Sequence, residues 1–215
     1  MNLDWIQSEE NSLIYIGDTL CSWCYGFAPE LDKFIANHPE LKLRMVQGGL
    51  RPFGTEMLHD MKDFLQSHYT EIEKRTGQSF DKQMFEKENF VLDTEPASRA
   101  VVVCRIMKPE KELEFFKAVQ HAFYTQTKDI NRLSTFEEIA EKLELDKEKF
   151  SELFNSEEAK YTTKTDFQLS SEMGVKGFPS VVLKINGKFY MISNGYREVA
   201  DLEEVYQNVQ QEVAK

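Results

Sequence analysis

The sequence predicts an α/β fold in which a large all-helical insertion separates an N-terminal βαβ unit from a C-terminal ββα unit. Three observations predict this class: a strand pattern followed by a helical one near the N-terminus, a hairpin signature near the C-terminus, and helical periodicity through most of the residues between them. We expect residues 11–52 and 174–215 to form one discontinuous domain and residues 53–173 to form the insertion.

The N-terminal unit begins with residues 13–19 (LIYIGDT), a short apolar run that is typical of a buried strand. Apolar side chains then recur at the spacing of a helix, at Phe27, Leu31, Phe34 and Ile35. We expect this helix to end at residues 37–39 (NHP), because proline disfavours helical conformation in the residue before it. A second strand is predicted over residues 42–48, and this order implies parallel pairing with a right-handed crossover.

The C-terminal unit carries the strongest hairpin signature in the sequence. Two runs of strand-forming residues, 180–185 (SVVLKI) and 188–192 (KFYMI), flank Asn186-Gly187, a pair that readily takes the positive φ values of a type I′ turn. An amphipathic helix is predicted from Glu198 to about Ala214, because its apolar residues fall on one face. These elements complete the ββα unit.

Helices are predicted in the insertion over residues 56–75, 110–125, 135–143 and 147–154. Residues 100–107 (AVVVCRIM) fit either a strand, because of their β-branched run, or a helix that starts near Pro96; we favour the helix. Ser134 or Thr135 is expected to cap the helix over 135–143, since glutamates follow in the pattern of a capping box.

Composition and charge argue against several classes of function. With 215 residues, 41% of them hydrophobic, the chain can bury a core without disulfides. The net charge of −11, from 37 acidic and 26 basic residues, repels phosphate backbones and anionic lipids, so we expect no nucleic-acid or membrane partner. No apolar stretch approaches the ~20 residues of a membrane helix. The first residues lack the basic and apolar regions of a secretion signal, and we expect a cytoplasmic protein.

Two of the three cysteines, Cys21 and Cys24, form a CxxC pair directly after the first predicted strand. Such a pair could ligate a metal, close a structural disulfide or act as a redox couple. A structural zinc site normally needs four ligands, and Cys104 stands alone in an apolar segment where we expect a core residue, so we predict no metal. A disulfide across so short a loop would remove little unfolded-state entropy. The redox interpretation is therefore favoured.

A helix that begins at Cys21 gives the two cysteines different roles. Residues at i and i+3 lie on one helical face, about 5 to 6 Å apart at Cβ, so a small adjustment of the first turn can close the pair. Unpaired amides at the helix N-terminus favour a thiolate at Cys21, which makes this residue the candidate nucleophile. Cys24 lies one turn further in, and we expect it to be a more buried, resolving thiol.

Three segments carry a family resemblance: CSWCYGFAPEL at residues 21–31, TEPASRAVV at 94–102 and GVKGFPSVVL at 174–183. Through them the chain resembles the DsbA-like branch of the thioredoxin superfamily, and in particular its FrnE-type members. The resemblance implies a thioredoxin-like fold with a helical insertion, and a thiol–disulfide oxidoreductase that exchanges disulfides with protein or peptide substrates. It implies no bound cofactor, and glutathione is a candidate redox partner. It does not identify the partner that returns the cysteine pair to its starting redox state.

The resemblance also assigns roles to residues around the pair. It implies that Cys21 is the attacking thiol, that Cys24 is the resolving thiol, and that Pro179 is a cis-proline facing them. A cis bond there would turn the backbone of Phe178 outward, where it could pair with an extended substrate peptide; the alternative is a plain turn before a strand. Tyr25, directly after the pair, is a further candidate for substrate contact.

The dipeptide between the cysteines, Ser22-Trp23, leaves two interpretations open. Trp23 is either an exposed platform for apolar substrate segments or a side chain packed against the insertion. Because the dipeptide carries no cation to stabilise a thiolate, we expect a reduction potential well inside the interval of about 150 mV between DsbA and thioredoxin. Residues 94–96 either line the active-site cleft or only cap a helix, and Asp18 either raises the pKa of Cys21 or simply ends the strand.

Two alternatives to a protein disulfide oxidoreductase stay open. Glutathione-dependent transferases and isomerases of the same fold generally have serine where Cys21 stands and no second cysteine, so the intact pair argues against them. Some intracellular DsbA-like proteins are non-enzymatic adaptors that present clients to a protease, and the acidic surface and long insertion would permit that function. The effect of Cys21→Ser on function distinguishes the adaptor from the enzyme.

Overall fold

The computed structural model describes residues 4–8 and 10–214, and its centre is a four-stranded sheet with the strand order β2-β1-β3-β4. The strands are β1 (Ser12–Gly17), β2 (Lys42–Gln47), β3 (Ser180–Ile185) and β4 (Lys188–Asn194). The helices are α1 (Asp4–Gln7), α2 (Ser22–Asn37), α3 (Lys62–Thr76), α4 (Glu95–Met107), α5 (Glu112–Gln126), α6 (Leu133–Lys142), α7 (Lys147–Phe154), α8 (Glu157–Glu172) and α9 (Val199–Val213). Short 3₁₀ turns cover His59–Met61, Lys82–Glu86 and Pro109–Lys111. No helix in the described ranges is both long and apolar enough to cross a membrane.

The sheet confirms both predicted units. β1 pairs with β2 in parallel along its whole length, as expected of a βαβ unit. β3 runs antiparallel to both β1 and β4. The turn between β3 and β4 has positive φ at Asn186 (50°) and Gly187 (73°), as predicted for a type I′ turn. The predicted α/β fold with a helical insertion is therefore confirmed.

Alternate residues of β1 point to the two faces of the sheet. Leu13 and Tyr15 join the larger hydrophobic core, which includes the buried face of α2. Ile14 and Ile16 join a smaller core on the other face, with Leu169 of α8. Both faces of β1 are therefore buried, which explains why its sequence is a continuous apolar run rather than an alternating one.

The insertion is attached to the sheet through helix α2. Pro29, inside α2, has no N–H to donate to the carbonyl of Tyr25, and Gln78 Nε2 donates to that carbonyl instead, at 3.2 Å. Gly26 lets α3 approach closely, because an added Cβ would lie 2.7 Å from Cγ2 of Ile72. The helix that begins at the cysteine pair thus packs directly against the insertion.

The helix predicted over residues 56–75 begins later than expected. Met57 forms an isolated antiparallel bridge with Val91, a 3₁₀ turn follows, and α3 starts only at Lys62. A pairing with a distant segment therefore overrides the local helical pattern in its first turn. Residues 100–107 lie within α4, so the helical interpretation of that apolar run is confirmed.

Two further helices of the insertion differ from the predictions. α6 begins at Leu133, so the cap predicted at Ser134 or Thr135 is wrong. The Thr135 hydroxyl instead donates to the carbonyl of Asp129 at 2.7 Å, which fastens the preceding loop. α8 was not predicted as a separate helix; it begins after Ser156, whose side chain caps it.

A buried ion pair closes the outer edge of β2. Arg105 donates to the carbonyl of Met45 at 2.9 Å and to both carboxylate oxygens of Asp166, at 3.0 and 3.1 Å. Asp166 in turn accepts from the N–H of Gln47 at 3.0 Å. The ion pair thus provides hydrogen-bond partners for the backbone of β2 at this edge, as a neighbouring strand would. Glu112 lies 3.3 Å from Arg105 as well, and burial raises the pKa of both Glu112, to about 8, and Asp166.

Arg105→Met should lower the free energy of unfolding by about 3 to 5 kcal/mol, because it leaves the carboxylate of Asp166 buried without its cation. Arg132→Met is the matched control: the Arg132 side chain is 74% exposed and pairs with Asp129 at the surface, so little change is expected. Denaturant unfolding of both variants measures the difference. Equal stabilities would show that the Arg105 pair does not hold the edge of β2.

Candidate active site

The cysteine pair lies where β1 ends and α2 begins. Cys21 is the N-cap residue of α2, with an extended backbone (φ −83°, ψ 108°). Its carbonyl accepts from the N–H groups of Cys24 and Tyr25, at 3.0 and 3.2 Å, which starts the helix. Both thiols are free. Cys21 is 8% exposed and Cys24 is fully buried, so the predicted difference in burial is confirmed.

The Cys21 thiol faces the loop that precedes β3. It donates to the carbonyl of Phe178 at 3.4 Å, and the Phe178–Pro179 peptide bond is cis. The Phe178 ring lies against Gly48, directly after β2, where an added Cβ would be 2.4 Å from Cε1 of the ring. The fold therefore brings this loop next to Cys21, as the family resemblance implied.

Cys24 is held in an environment that favours the neutral thiol. The backbone N–H of Asp18 donates to Cys24 Sγ at 3.5 Å, and the Tyr15 hydroxyl also hydrogen-bonds this side chain; both contacts favour the thiolate, but burial outweighs them. Burial raises the pKa of Cys24 well above its usual range, and the interaction with Cys21 raises it further. Cys24 is therefore protonated at neutral pH.

Asp18 lies behind the pair and is fully buried. Its carboxylate accepts from the N–H groups of Leu20 at 2.9 Å and Leu50 at 2.7 Å, and from the Thr94 hydroxyl. Burial raises the pKa of Asp18 to about 6, although these hydrogen bonds favour the charged form. The sequence analysis left Asp18 either as a group that raises the pKa of Cys21 or as the end of the strand; it did not predict the burial of Asp18 or its hydrogen bonds to Leu20 and Leu50.

A cavity of about 620 Å³ opens beside Phe178. Its lining combines aromatic side chains with charged ones from α3: Trp23, Glu71, Lys74, Arg75, Phe178, Gly195 and Tyr196. The half-buried Trp23 ring packs 5.6 Å from the ring of Tyr196, between centroids, and the Arg75 guanidinium lies 5.5 Å from the Tyr196 centroid. Trp23 thus packs on the C-terminal unit and shares the cavity with the insertion.

Tyr25 lies in the core rather than in this cavity, so its position corrects the predicted contact with substrate. Its side chain is 7% exposed and stacks on Tyr124 at 5.0 Å between centroids, and its hydroxyl donates to the carbonyl of Ser79 at 3.2 Å. These contacts fasten α2 to the insertion. Ser22, the first residue of α2, is also buried. Cys104 is a core residue, as predicted, and burial raises its pKa to about 12.

The sequence profile of the DsbA-like thioredoxin domain matches residues 14–207. The chain belongs to this family. A crystal structure from Nitrosomonas europaea, provisionally described as a protein disulfide isomerase, is 33% identical to this DsbA-like chain, with a TM-score of 0.87 over 95% of this chain and 99% of the other. No curated protein matches the chain. Family membership and the free cysteine pair support thiol–disulfide oxidoreductase chemistry.

Two structures of DsbM from Pseudomonas aeruginosa, described as a cytosolic disulfide reductase, share the fold of this DsbA-like chain. One is 23% identical, with a TM-score of 0.77 over 94% of this chain and 99% of the other. The second, which contains GSH, is 22% identical, with a TM-score of 0.74 over 95% of this chain and 100% of the other. At this level of identity the likeness shows a common fold.

Gly48→Ala should displace the Phe178 ring of the DsbA-like site and lower the rate of disulfide exchange about tenfold, because the new Cβ overlaps the ring. The matched control is Gly177→Ala, directly before Phe178, where an added Cβ would meet Asn194 Oδ1 at an ordinary 3.8 Å. Reduction of a peptide disulfide by each variant, with thermal unfolding as a check on folding, measures the effect. Equal rates for the two variants would contradict the placement of Phe178 at the site of exchange.

Asp18→Asn should remove a pH-dependent part of the stability. The folded pKa of about 6 lies above the ordinary value of 3.8, so the contribution of Asp18 to stability is complete below about pH 4 and is lost as the pH rises through 6. Its full size is ~3 kcal/mol. Urea denaturation should therefore show wild type gaining about this amount relative to the variant as the pH falls from neutral to about 4. A difference that does not vary with pH would contradict the burial of a titrating Asp18.

Proposed function

We propose that this DsbA-like protein is a thiol–disulfide oxidoreductase that exchanges disulfides with protein or peptide substrates through Cys21 and Cys24. The proposal rests on the different positions and burial of the two sulfurs. Cys21 caps α2 and faces the carbonyl of Phe178, whereas Cys24 is fully buried one turn behind it. A substrate disulfide would therefore meet Cys21 first.

Reduction of a substrate would proceed in two exchange steps. The thiolate of Cys21 attacks one sulfur of the substrate disulfide, the S–S bond breaks, and the departing substrate sulfur takes a proton. Cys24 then loses its proton and attacks Cys21 Sγ, which forms the Cys21–Cys24 disulfide and releases the second substrate sulfur as a thiol. Two electrons pass from the pair to the substrate. Oxidation of a substrate dithiol runs the same steps in reverse.

Asp18 is the group that we assign to receive the proton of Cys24. Cys24 must ionise in the second step, although burial raises its pKa. With a pKa of about 6, the carboxyl of Asp18 is largely charged at neutral pH and can accept a proton, and the backbone N–H of the same residue donates to Cys24 Sγ, which places Asp18 next to the thiol. The Tyr15 hydroxyl, which hydrogen-bonds the same side chain, would stabilise the thiolate as it forms.

Phe178 and the cavity beside it are proposed to hold the substrate. The backbone of Phe178 would pair with an extended peptide as an added strand does. Lys74 suits a carboxylate, whereas Arg75 already pairs with Glu198 at 3.4 Å and Glu71 adds a carboxylate to the lining. Trp23 and Tyr196 suit an apolar group. Glutathione carries carboxylates beside its thiol, so we propose it as a small-thiol partner; a structure of the neighbour DsbM with GSH supports this choice.

Three finer assignments accompany the proposal. We place the chain in the FrnE-type branch, on the strength of its segments at residues 21–31, 94–102 and 174–183. We propose a cytoplasmic location, in line with cytosolic DsbM as a structural neighbour. We also propose a reduction potential between those of DsbA and thioredoxin, because the Ser22-Trp23 dipeptide carries no cation.

An equilibrium titration in graded thiol–disulfide buffers tests the proposal. The purified protein is equilibrated at each potential, and alkylated thiols are counted by mass. We expect one cooperative two-thiol transition between about −120 and −270 mV. Cys21→Ser should abolish it, whereas Cys104→Ala should retain it, because Cys104 is a buried core residue of α4 and not part of the CxxC pair.

The same preparations separate the proposal from its two rivals. Absence of any two-thiol transition in the wild-type protein would contradict the oxidoreductase and favour a protease adaptor that binds clients through this fold. A glutathione-dependent transfer or isomerisation that requires Cys21 but survives Cys24→Ser would instead favour a transferase or isomerase, since that chemistry needs no resolving thiol.

A further inference from the structure

A second exposed surface lies along the loop after β2. Phe53, in this loop, is 68% exposed and has a φ of 59°, a left-handed conformation that is costly for a bulky residue. Its backbone N–H donates to Asp93 Oδ1 at 2.8 Å, which holds the conformation. Leu50, in the same loop, is 43% exposed. The protein thus maintains a strained backbone that presents an aromatic ring to solvent, a feature that clusters at binding sites.

Helix α8 supplies the other side of this surface. Tyr161 is 70% exposed, and together with Phe53 it lines a cavity of about 450 Å³. Lys160 and Lys164, on the same helix, line this cavity as well. The five residues Leu50, Phe53, Lys160, Tyr161 and Lys164 are called the Phe53 surface below.

A chain of contacts connects the Phe53 surface to the cysteine pair. Phe178, whose carbonyl accepts from Cys21, packs on Gly48. The next residue, Gly49, packs on Phe167 of α8, since an added Cβ would lie 2.7 Å from Cδ1 of that ring. Phe167 follows the two lysines of the Phe53 surface at helical spacing, within about 10 Å along the axis of α8. Packed residues of the loop after β2 and of α8 therefore connect the Phe53 surface to the Cys21 site.

In the described part of the chain, the charged residues of this surface leave one cation without an ion-pair partner, although Asp93, which accepts from the backbone of Phe53, adds a third carboxylate beside the two of the cavity. The cavity is lined by three cations and two carboxylates: Arg99, Lys160, Lys164, Glu95 and Glu157. Arg99 pairs with Glu95 at 3.0 Å, and Lys160 pairs with Glu157 at 2.7 Å. Among the residues that the structure describes, no carboxylate forms an ion pair with the remaining cation, Lys164. The surface thus offers an available cation on a chain whose net charge is −11.

We propose that the Phe53 surface docks an extended segment of the substrate protein in which carboxylates flank an apolar side chain. Phe53, Leu50 and Tyr161 receive the apolar side chain, and Lys164 receives a carboxylate. The proposal rests on the proposed function, since the segment belongs to the substrate whose disulfide reaches Cys21. It gives the cysteine pair a substrate preference that the two sulfurs alone cannot supply.

Binding of two short cysteine-free peptides tests the docking without any redox step. The peptides have equal length and the same apolar residues, but one carries glutamates where the other carries lysines. Fluorescence anisotropy with the full chain measures both affinities, and we expect the acidic peptide to bind at least about fivefold more tightly. Because the net charge of −11 favours the basic peptide non-specifically, such a preference would report the local cations.

Lys164→Glu should abolish this preference. Phe53→Ala should weaken the binding of both peptides about fivefold, because both make the same apolar contact. The matched control is Lys149→Glu, at an exposed lysine of α7, which changes the net charge equally and should keep the preference. The proposal would be overturned if the wild-type protein bound both peptides equally, preferred the basic peptide or bound neither. It would also be overturned if Lys149→Glu and Lys164→Glu lost the preference equally. Turnover of a small neutral disulfide by the wild-type protein tests the proposed function separately.

Discussion

The geometry of the site depends on the buried carboxylate of Asp18. It joins three segments that are distant in sequence: the turn into α2 through the N–H of Leu20, the loop after β2 through the N–H of Leu50, and the start of α4 through the Thr94 hydroxyl. A carboxylate provides acceptor positions for all three donors at once, which an amide side chain does not. The hydrogen bonds offset only part of the cost of burial, since the pKa stays raised.

The two parts of the fold contribute different things to this site. The sheet and α2 hold the sulfurs, with Cys21 as the N-cap residue of α2 and Cys24 buried one turn further in. The insertion supplies most of the charged groups around them: α3 brings Lys74 and Arg75 to the cavity beside Trp23, and α8 brings Lys164 to the Phe53 surface. Because α3 packs directly on Gly26 of α2, Lys74 and Arg75 lie on a helix that contacts the helix of the cysteine pair.

Sequence reasoning succeeded where structure depends on neighbouring residues. Strand and helix periodicity predicted the βαβ and ββα units, and the pair Asn186-Gly187 predicted the type I′ turn between β3 and β4. It failed where contacts with a segment distant in sequence determine the local structure. Nothing local marks Tyr25 as a partner for Tyr124, and the burial of Asp18 depends on two segments that only the tertiary fold brings near it. The late start of α3 has the same origin, since the bridge at Met57 displaces a helical turn.

Burial also sets the order of the two exchange steps. In the proposed mechanism, a substrate does not reach the fully buried Cys24, and a neutral Cys24 cannot attack until it loses its proton, so exchange would begin at Cys21. Once the mixed disulfide forms, Cys24 lies beside the sulfur it must attack, and the second step is intramolecular. Release then depends on the remaining non-covalent contacts. An exposed ring at Phe53 and one available cation at Lys164 bind a segment weakly, which favours one substrate while still allowing its release after the disulfide has been exchanged.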